Sequence, residues 1–314
     1  MELSPKKISE EFCNNNIDKH SAIKLLISLI ENSEEDHIRI ESLMVVRGIG
    51  YYNNNFYKFL ENLLISDSNT RIRIIACDMI RKEYLEKALN PMKWALRYEK
   101  DIDCLNIIIG VFSSMENSES KSILIKEVKK IRKEKYLDKN KRIDNRKFKK
   151  SIKELLKKRD YVSLTHQELA DIIINYRIVV TLTKNFYSVY FELYNAAVIK
   201  LDLADVEYEV RGWKSDYKNN IREISDIAGL KYLKQLKFLN LSNNLISNVK
   251  EFEELENLTH LYISNNKISS AENLTYFNNI PNLKYLDVSG NEFLSKIDIK
   301  DFKNMKLEIK RVYT

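Results

Sequence analysis

The side chains able to do chemistry are few and scattered. Cys13, Cys77 and Cys104 form no CxxC pair, and His20, His37, His166 and His260 fall in four separate regions. None has a second His or Cys at ligand spacing, so no metal site is expected. The sequence has no GxSxG, HExxH, GxGxxG or GxxxxGK[ST] pattern, which removes the standard nucleophile elbow, zinc helix and phosphate loops. No catalytic residue, cofactor or small-molecule substrate is therefore predicted. Three cysteines without a disulfide framework suit a reducing cytoplasm. Cys77 and Cys104, inside apolar helical runs, read as buried structural thiols.

Charge is the next chemical resource, and it is concentrated. Residues 121–160 hold 18 Lys+Arg against 6 Asp+Glu, a net of +12, although the whole chain carries only +7. Lys126, Lys129, Lys130, Arg132, Lys133, Arg146, Lys149 and Lys150 form a candidate polyanion-binding set for nucleic acid, anionic lipid or an acidic protein. The alternative is a solvated helix surface whose long Lys stems cover apolar area. Tyr136, Phe148 and Tyr161 are too few for a base-stacking platform.

These residues must be positioned by repeats. The chain has 314 residues, 44% apolar and 31% charged, with six Gly and three Pro. That length suits two domains or one repeat array of a soluble protein. No run of 18 apolar residues predicts a membrane span, and the start (Met1 to Lys7) lacks a signal-peptide layout.

Residues 21–31 place Ala22, Leu25, Leu26, Leu29 and Ile30 at helical spacing, and 37–49 do so with Ile40, Leu43, Met44 and Val46. Helix, polar turn, helix then recurs over 56–84 and 91–115. The second helices register at Ile38-Arg39 with Ser42, Ile72-Arg73 with Ala76, and Cys104-Leu105 with Ile108, at offsets of 34 and 32 residues. Such a period marks an α-solenoid whose pairs complete one another's core. This stretch resembles HEAT-like repeats, but its units are shorter and the third copy lacks the arginine.

Residues 121–136 and 146–161 read as two basic amphipathic helices that complete or link the solenoid. Thr165 and Glu168 then form a capping box opening another helix, with His166 in its first turn. From Tyr176 the expected period changes to alternation. Residues 177–182 are ambiguous, whereas 186–195 and 198–203 predict a β-hairpin turning at Asn195-Ala196. The expected domains are 1–120, helical repeats; 121–175, the basic helical segment; and 176–314, hairpin cap and leucine-rich repeats.

The pattern LxxLxLxxNxL occurs three times: Leu236, Leu239, Leu241, Asn244, Ile246; Leu258, Leu261, Ile263, Asn266, Ile268; and Leu283, Leu286, Val288, Asn291, Phe293. A worn copy precedes them at Val198, Leu201 and Leu203, with Val206 in the Asn place. Leucines point inward, and each Asn satisfies backbone groups freed where the chain leaves the strand. Returns carry Val249, Phe252 and Leu255, then Leu274, Phe277 and Ile280, as short helices. Residues 204–235, with Tyr208, Trp213 and Tyr217, are expected to form a longer first return or an inserted loop. Leu307, Ile309 and Val312 suggest a last strand.

This region is similar to the short, 22-residue class of leucine-rich repeat proteins, which includes phosphatase regulators, a spliceosomal subunit and an axonemal dynein light chain. The resemblance implies a curved parallel sheet whose concave face binds a partner, usually a protein. The helical-then-leucine-rich order resembles the α subunit of Rab geranylgeranyl transferase, but no Trp-containing prenyltransferase helix motif recurs. The Lys/Ile/Asn-heavy composition is also similar to archaeal repeat proteins of this mixed kind.

Alternate strand residues should face out. One predicted column is Lys200, Phe238, His260 and Tyr285; the next is Asp202, Asn240, Tyr262 and Asp287; the third is Ala204, Ser242, Ser264 and Ser289. Phe238, His260, Tyr262 and Tyr285 would make an exposed aromatic band suited to a protein partner. The expectation is a non-catalytic adaptor, with nucleic-acid or other polyanion binding by the basic segment as the alternative.

Overall fold

A computed structural model of the chain describes residues 4–134, 146–186, 189–206, 221–270, 272–292 and 308–310. The chain forms two compact units, Met1–Lys121 and Ser122–Thr314.

The first unit is helical: α1 (Pro5–Cys13), α2 (Lys19–Asn32), α3 (Asp36–Ile49), α4 (Asn54–Ser66), α5 (Thr70–Glu83), α6 (Leu89–Tyr98) and α7 (Ile102–Ser114). Short polar side chains start most of them. Ser4, Asp18, Asn53, Asn69 and Asp101 each accept a hydrogen bond from a first-turn amide that the helix leaves unpaired. α3 ends on Gly50, whose φ of 70° is left-handed and suits a residue without Cβ.

The helices pack as hairpins α2/α3, α4/α5 and α6/α7, with α3 against α5 and α5 against α7. Leu26, Leu43, Val46, Leu60, Ala76, Ile80, Ile108 and Phe112 are buried between them. Met44, expected on the apolar stripe, is exposed, one position off the Ser42–Leu43–Val46 face that is buried.

The recurring arginine has a defined job. Arg39 on α3 pairs with Asp67, the residue that ends α4, and its Nε donates to the Ile30 carbonyl (2.9 Å). One repeat on, Arg73 of α5 grips Glu99, the residue that ends α6, through two bonds (2.7 and 2.9 Å). Each guanidinium thus ties its hairpin to the next. The third copy has Leu105 at this position, in α7, the last helix of the series.

Burial pushes the Glu99 carboxyl up. The hydrogen bonds from Arg73 and from the amides of Asp101 and Lys100 outweigh it and hold that group at about 2.

The second unit contains α9 (Arg146–Lys158), α10 (His166–Asn185), β1 (Tyr190–Tyr194), β2 (Ala197–Asp202), β3 (Phe238–Asn240), β4 (His260–Tyr262), α11 (Asn273–Asn278), β5 (Tyr285–Asp287) and β6 (Glu308–Lys310). The division between the units falls in the first turn of α8 (Ser118–Lys133). The capping box at Thr165 and Glu168 is present, with His166 half-buried as the first helical residue.

The expected switch to alternation at Tyr176 does not occur: α10 continues to Asn185 and buries Ile172, Ile173, Ile178, Val179 and Leu182. Burial around much of this helix outweighs the modest helical disfavour of its β-branched residues. The basic helix α9 turns its apolar side inward, with the Phe148 ring 5.4 Å from Tyr176 and 5.7 Å from Phe191.

The sheet order is β1-β2-β3-β4-β5-β6, antiparallel between β1 and β2 and parallel thereafter. The hairpin turns at Asn195 and Ala196, both at positive φ as tight β-turns of this hand require. Leu201, Leu239, Leu261 and Leu286 share one register row and are fully buried.

Asn266 and Asn291 do what their spacing predicts, whereas Asn244 only donates, to the Leu203, Leu241 and Ser242 carbonyls, and its buried Oδ1 has no partner among the described residues. Asn266 Nδ2 donates to the carbonyls of Leu241, Ile263 and Ser264 (2.9–3.1 Å), while its Oδ1 accepts from the Ile246 amide (3.0 Å). Asn291 repeats this one coil later, bonding Ile263, Val288 and the Ile268 amide.

The return over Lys250–Glu254 is a 3₁₀ turn instead of an α-helix, whereas the next is α11; they bury the expected Phe252 and Phe277. Tyr136, Tyr208, Trp213, Tyr217, Phe293, Leu307 and Val312 lie outside the described residues, as does the side chain of Leu274.

Candidate functional site

Because neighbouring strands pair residue for residue, side chains opposite the buried leucines form columns across the sheet. Lys200, Phe238, His260 and Tyr285 are consecutive register partners, as are Asp202, Asn240, Tyr262 and Asp287. The first two expected columns are therefore brought together.

The aromatic band differs from the expectation in one respect: its rings are half-buried, because they stack on one another. The Phe238 and His260 rings lie 4.2 Å apart at 20°, His260 and Tyr285 5.9 Å apart at 25°, and Tyr262 and Tyr285 5.0 Å apart at 40°. The Thr259 hydroxyl lies 2.9 Å from His260 Nδ1.

The second column does mostly structural work. Asp202, Asn240 and Asp287 each accept, through Oδ1, the amide two residues on (3.0–3.1 Å), an Asx turn that closes the strand exit. Asp287 is buried and also accepts from the Ser289 hydroxyl (2.6 Å). Tyr262 fills the equivalent position on β4 and places a ring there instead.

The face extends beyond the predicted columns. Tyr190 pairs with Asp202 and Glu192 with Lys200, so the outward side of β1 continues it. Tyr190 is 48% exposed and Tyr194 66%. Glu192 accepts from the Tyr190 hydroxyl (2.9 Å) and pairs with Lys200 (3.3 Å). These two bonds, the Tyr190 one larger, hold its carboxyl below the ordinary range. Lys147 of α9 reaches the sheet edge, with Nζ 4.6 Å from the Tyr190 ring centre and 3.3 Å from the Phe191 carbonyl. The parity of the hairpin was the sequence signal for Tyr190 and Tyr194; Lys147 had none.

The basic set is distributed over two helices. Lys126, Lys129, Lys130, Arg132 and Lys133 are exposed on α8, Arg146 and Lys150 are exposed on α9, and Lys149 is half-buried there. Several are engaged locally. Arg132 donates to the Tyr161 hydroxyl (2.8 Å), Lys129 lies 5.3 Å from the same ring centre, Lys130 pairs with Glu127, and Lys149 donates to the Glu134 carbonyl.

Among the described residues, no group of three or more His, Cys, Asp or Glu is placed to hold a metal ion. No helix among them is long and apolar enough to cross a membrane.

Two family models agree with the repeat pattern of the sheet. Residues 218–268 match the family described as "Leucine rich repeat", and residues 256–304 match "Leucine Rich repeats (2 copies)". No curated protein matches the chain. Among solved structures, an internalin C2 from Listeria monocytogenes is 26% identical, with a TM-score of 0.25, covering 30% of this chain and 38% of its own. An internalin (inlF) from the same organism is 23% identical, with a TM-score of 0.26, covering 42% and 40%. The chain thus spans less than half the length of either. Residues 218–304 are leucine-rich repeats, a unit that commonly mediates protein–protein interaction as a non-catalytic module.

Proposed function

We propose that this chain is a non-catalytic adaptor that binds a protein partner on the outward, concave face of its leucine-rich sheet. The observation that carries this reading is the aromatic group Phe238, His260, Tyr262 and Tyr285, gathered on the side opposite the buried leucines. Half-buried aromatics held rigidly by their neighbours lose little entropy on binding and supply large contact area. The N-terminal hairpins act as a second, HEAT-like surface. A reducing cytoplasm is the proposed compartment, supported by free thiols at Cys13, Cys77 and Cys104.

Affinity capture from native lysate at two salt concentrations, with nuclease-treated controls, tests the reading. A Tyr262→Ala/Tyr285→Ala variant should lose captured protein by about tenfold or more, while its circular dichroism stays unchanged. Unchanged capture would remove the face from consideration. The second reading, polyanion binding through Lys126, Lys129, Lys130, Arg132, Lys133, Arg146, Lys149 and Lys150, is favoured by the exposure of most of these cations on α8 and α9. It requires affinity that falls steeply with salt, and retention at high salt would exclude it.

A further inference from the structure

The outward face is chemically lopsided. At the β1 end stands α9, with seven Lys+Arg against one acid, Glu154. Its Lys147 reaches the Tyr190 ring (4.6 Å), which also lies 5.5 Å from Lys200 Nζ. The acids of the face do not offset this cationic border. Glu192 and Lys200 cancel as a pair at 3.3 Å, and the carboxylates of Asp202 and Asp287 are two against the seven cations of α9. Beyond Lys200 the face becomes the aromatic group.

Ring geometry decides which class of macromolecule this surface suits. Phe238, His260 and Tyr285 stack across neighbouring strands at 20° and 25°, so the ring faces between them are occupied. Bases need open ring faces for stacking, as single-strand binding platforms provide. Ring edges are the positive side of the aromatic quadrupole. They favour carboxylate and carbonyl oxygens, or the face of a second ring. Crossing from β1 to β5 takes about 19 Å at ~4.8 Å per strand, which about six extended residues span.

We propose that the partner presents an extended acidic polypeptide segment: its carboxylates meet Lys147 and the α9 border beside Tyr190 and Tyr194, and an aromatic or aliphatic anchor lies against Phe238, His260, Tyr262 and Tyr285. This inference rests on the reading that the outward face binds protein, and adds the charge of the partner and the direction in which it lies. Tyr190, Tyr194 and Lys147 become specificity residues, since the rim of an interface steers and selects more than it anchors.

A displayed library of random 12-residue peptides, selected on the immobilised full-length protein, tests it, with single-stranded DNA and RNA homopolymers run in parallel. Enriched peptides should carry net negative charge and at least one aromatic residue. Lys147→Glu should weaken the best of them by about tenfold, and Tyr262→Ala/Tyr285→Ala should abolish binding. Peptides that need Tyr262 and Tyr285 but show no acidic bias, and ignore Lys147→Glu, overturn the acidic partner while leaving the protein-binding face intact. Peptides indifferent to both tyrosines, or no enrichment at all, overturn the face and the partner together. Homopolymer binding without peptide enrichment overturns both in favour of a polyanion.

Discussion

Both halves of the chain solve one problem, joining a helical hairpin or a coil to its neighbour, with opposite chemistry. The helical unit uses charge: Arg39 with Asp67 and Arg73 with Glu99, each spanning from one hairpin to the next. The leucine-rich sheet uses neutral amides: Asn266 links the Leu241, Ile263 and Ile246 backbones across consecutive coils. The choice follows from what each joint must satisfy. Helices bond their own backbone, so a joint between them needs only side chains that find each other at the rim. A coil that leaves a short strand frees backbone carbonyls and amides in the interior, and a primary amide supplies both donor and acceptor without importing charge.

The largest test of this contrast is Asn266→Ala. It strands the buried Ile246 amide and takes one of two bonds from the carbonyls of Leu241, Ile263 and Ser264, which keep Asn244, Asn291 and the Asn243 amide as donors. The expected loss is about 4 kcal/mol, with hydrogen exchange accelerated first at Ile246. A loss below 1 kcal/mol would mean that water replaces the amide, and the sheet joints would then not depend on it.

Next in size is Arg73→Ala, which leaves the Glu99 carboxylate, 6% exposed, without its main partner. About 3 kcal/mol of destabilisation is expected in urea unfolding, read by Trp94 fluorescence in a Trp213→Phe background. The same pair makes the helical unit acid-sensitive. Because Glu99 is depressed from 4.5 to about 2 in the folded state, its contribution is complete above pH ~4.5 and is lost as pH falls toward 2. Glu99→Gln should cost about 1–2 kcal/mol at neutral pH and narrow the gap from wild type through that window. Asn266→Ala, which removes no titrating group, should keep a constant gap. Parallel curves for Glu99→Gln and wild type would show that the carboxylate contributes nothing as a charge.

Much of this architecture was readable because it repeats. Leucine spacing, asparagine position and the strand register each recur every 22–25 residues, so one coil checks another. The partners of Arg39 and Arg73 were not readable: Asp67 and Glu99 lie 28 and 26 residues away, in turns whose sequences otherwise differ. Nor was the full length of α10, since a helix buried around much of its circumference has no polar stripe to betray its period. On the face itself, parity grouped the residues of β2 to β5 into columns. It could not separate Tyr262, which offers a ring, from Asn240 and Asp287, which spend an oxygen on their own turns, because all three occupy one register column.

The smallest prediction sets one glycine from each unit against the other. Gly50 and Gly290 both have φ of 70°, so alanine costs about 1 kcal/mol of left-handed backbone at either. Their surroundings differ. A Cβ on Gly50 would meet only Tyr52 at 3.8 Å, whereas one on Gly290 would stand 2.0 Å from Asn265 Oδ1. Asn265 would have to rotate, and its 2.8 Å bond to Asn243 would break. That bond is exposed, so the extra cost should be about 0.5–1 kcal/mol. Gly290→Ala should therefore destabilise more than Gly50→Ala in matched urea titrations, and in an Asn265→Ala background the difference should vanish. Equal costs in the wild-type background would confine the amide joints of the sheet to its buried asparagines, leaving the surface Asn243–Asn265 pair without a share in holding the coils together.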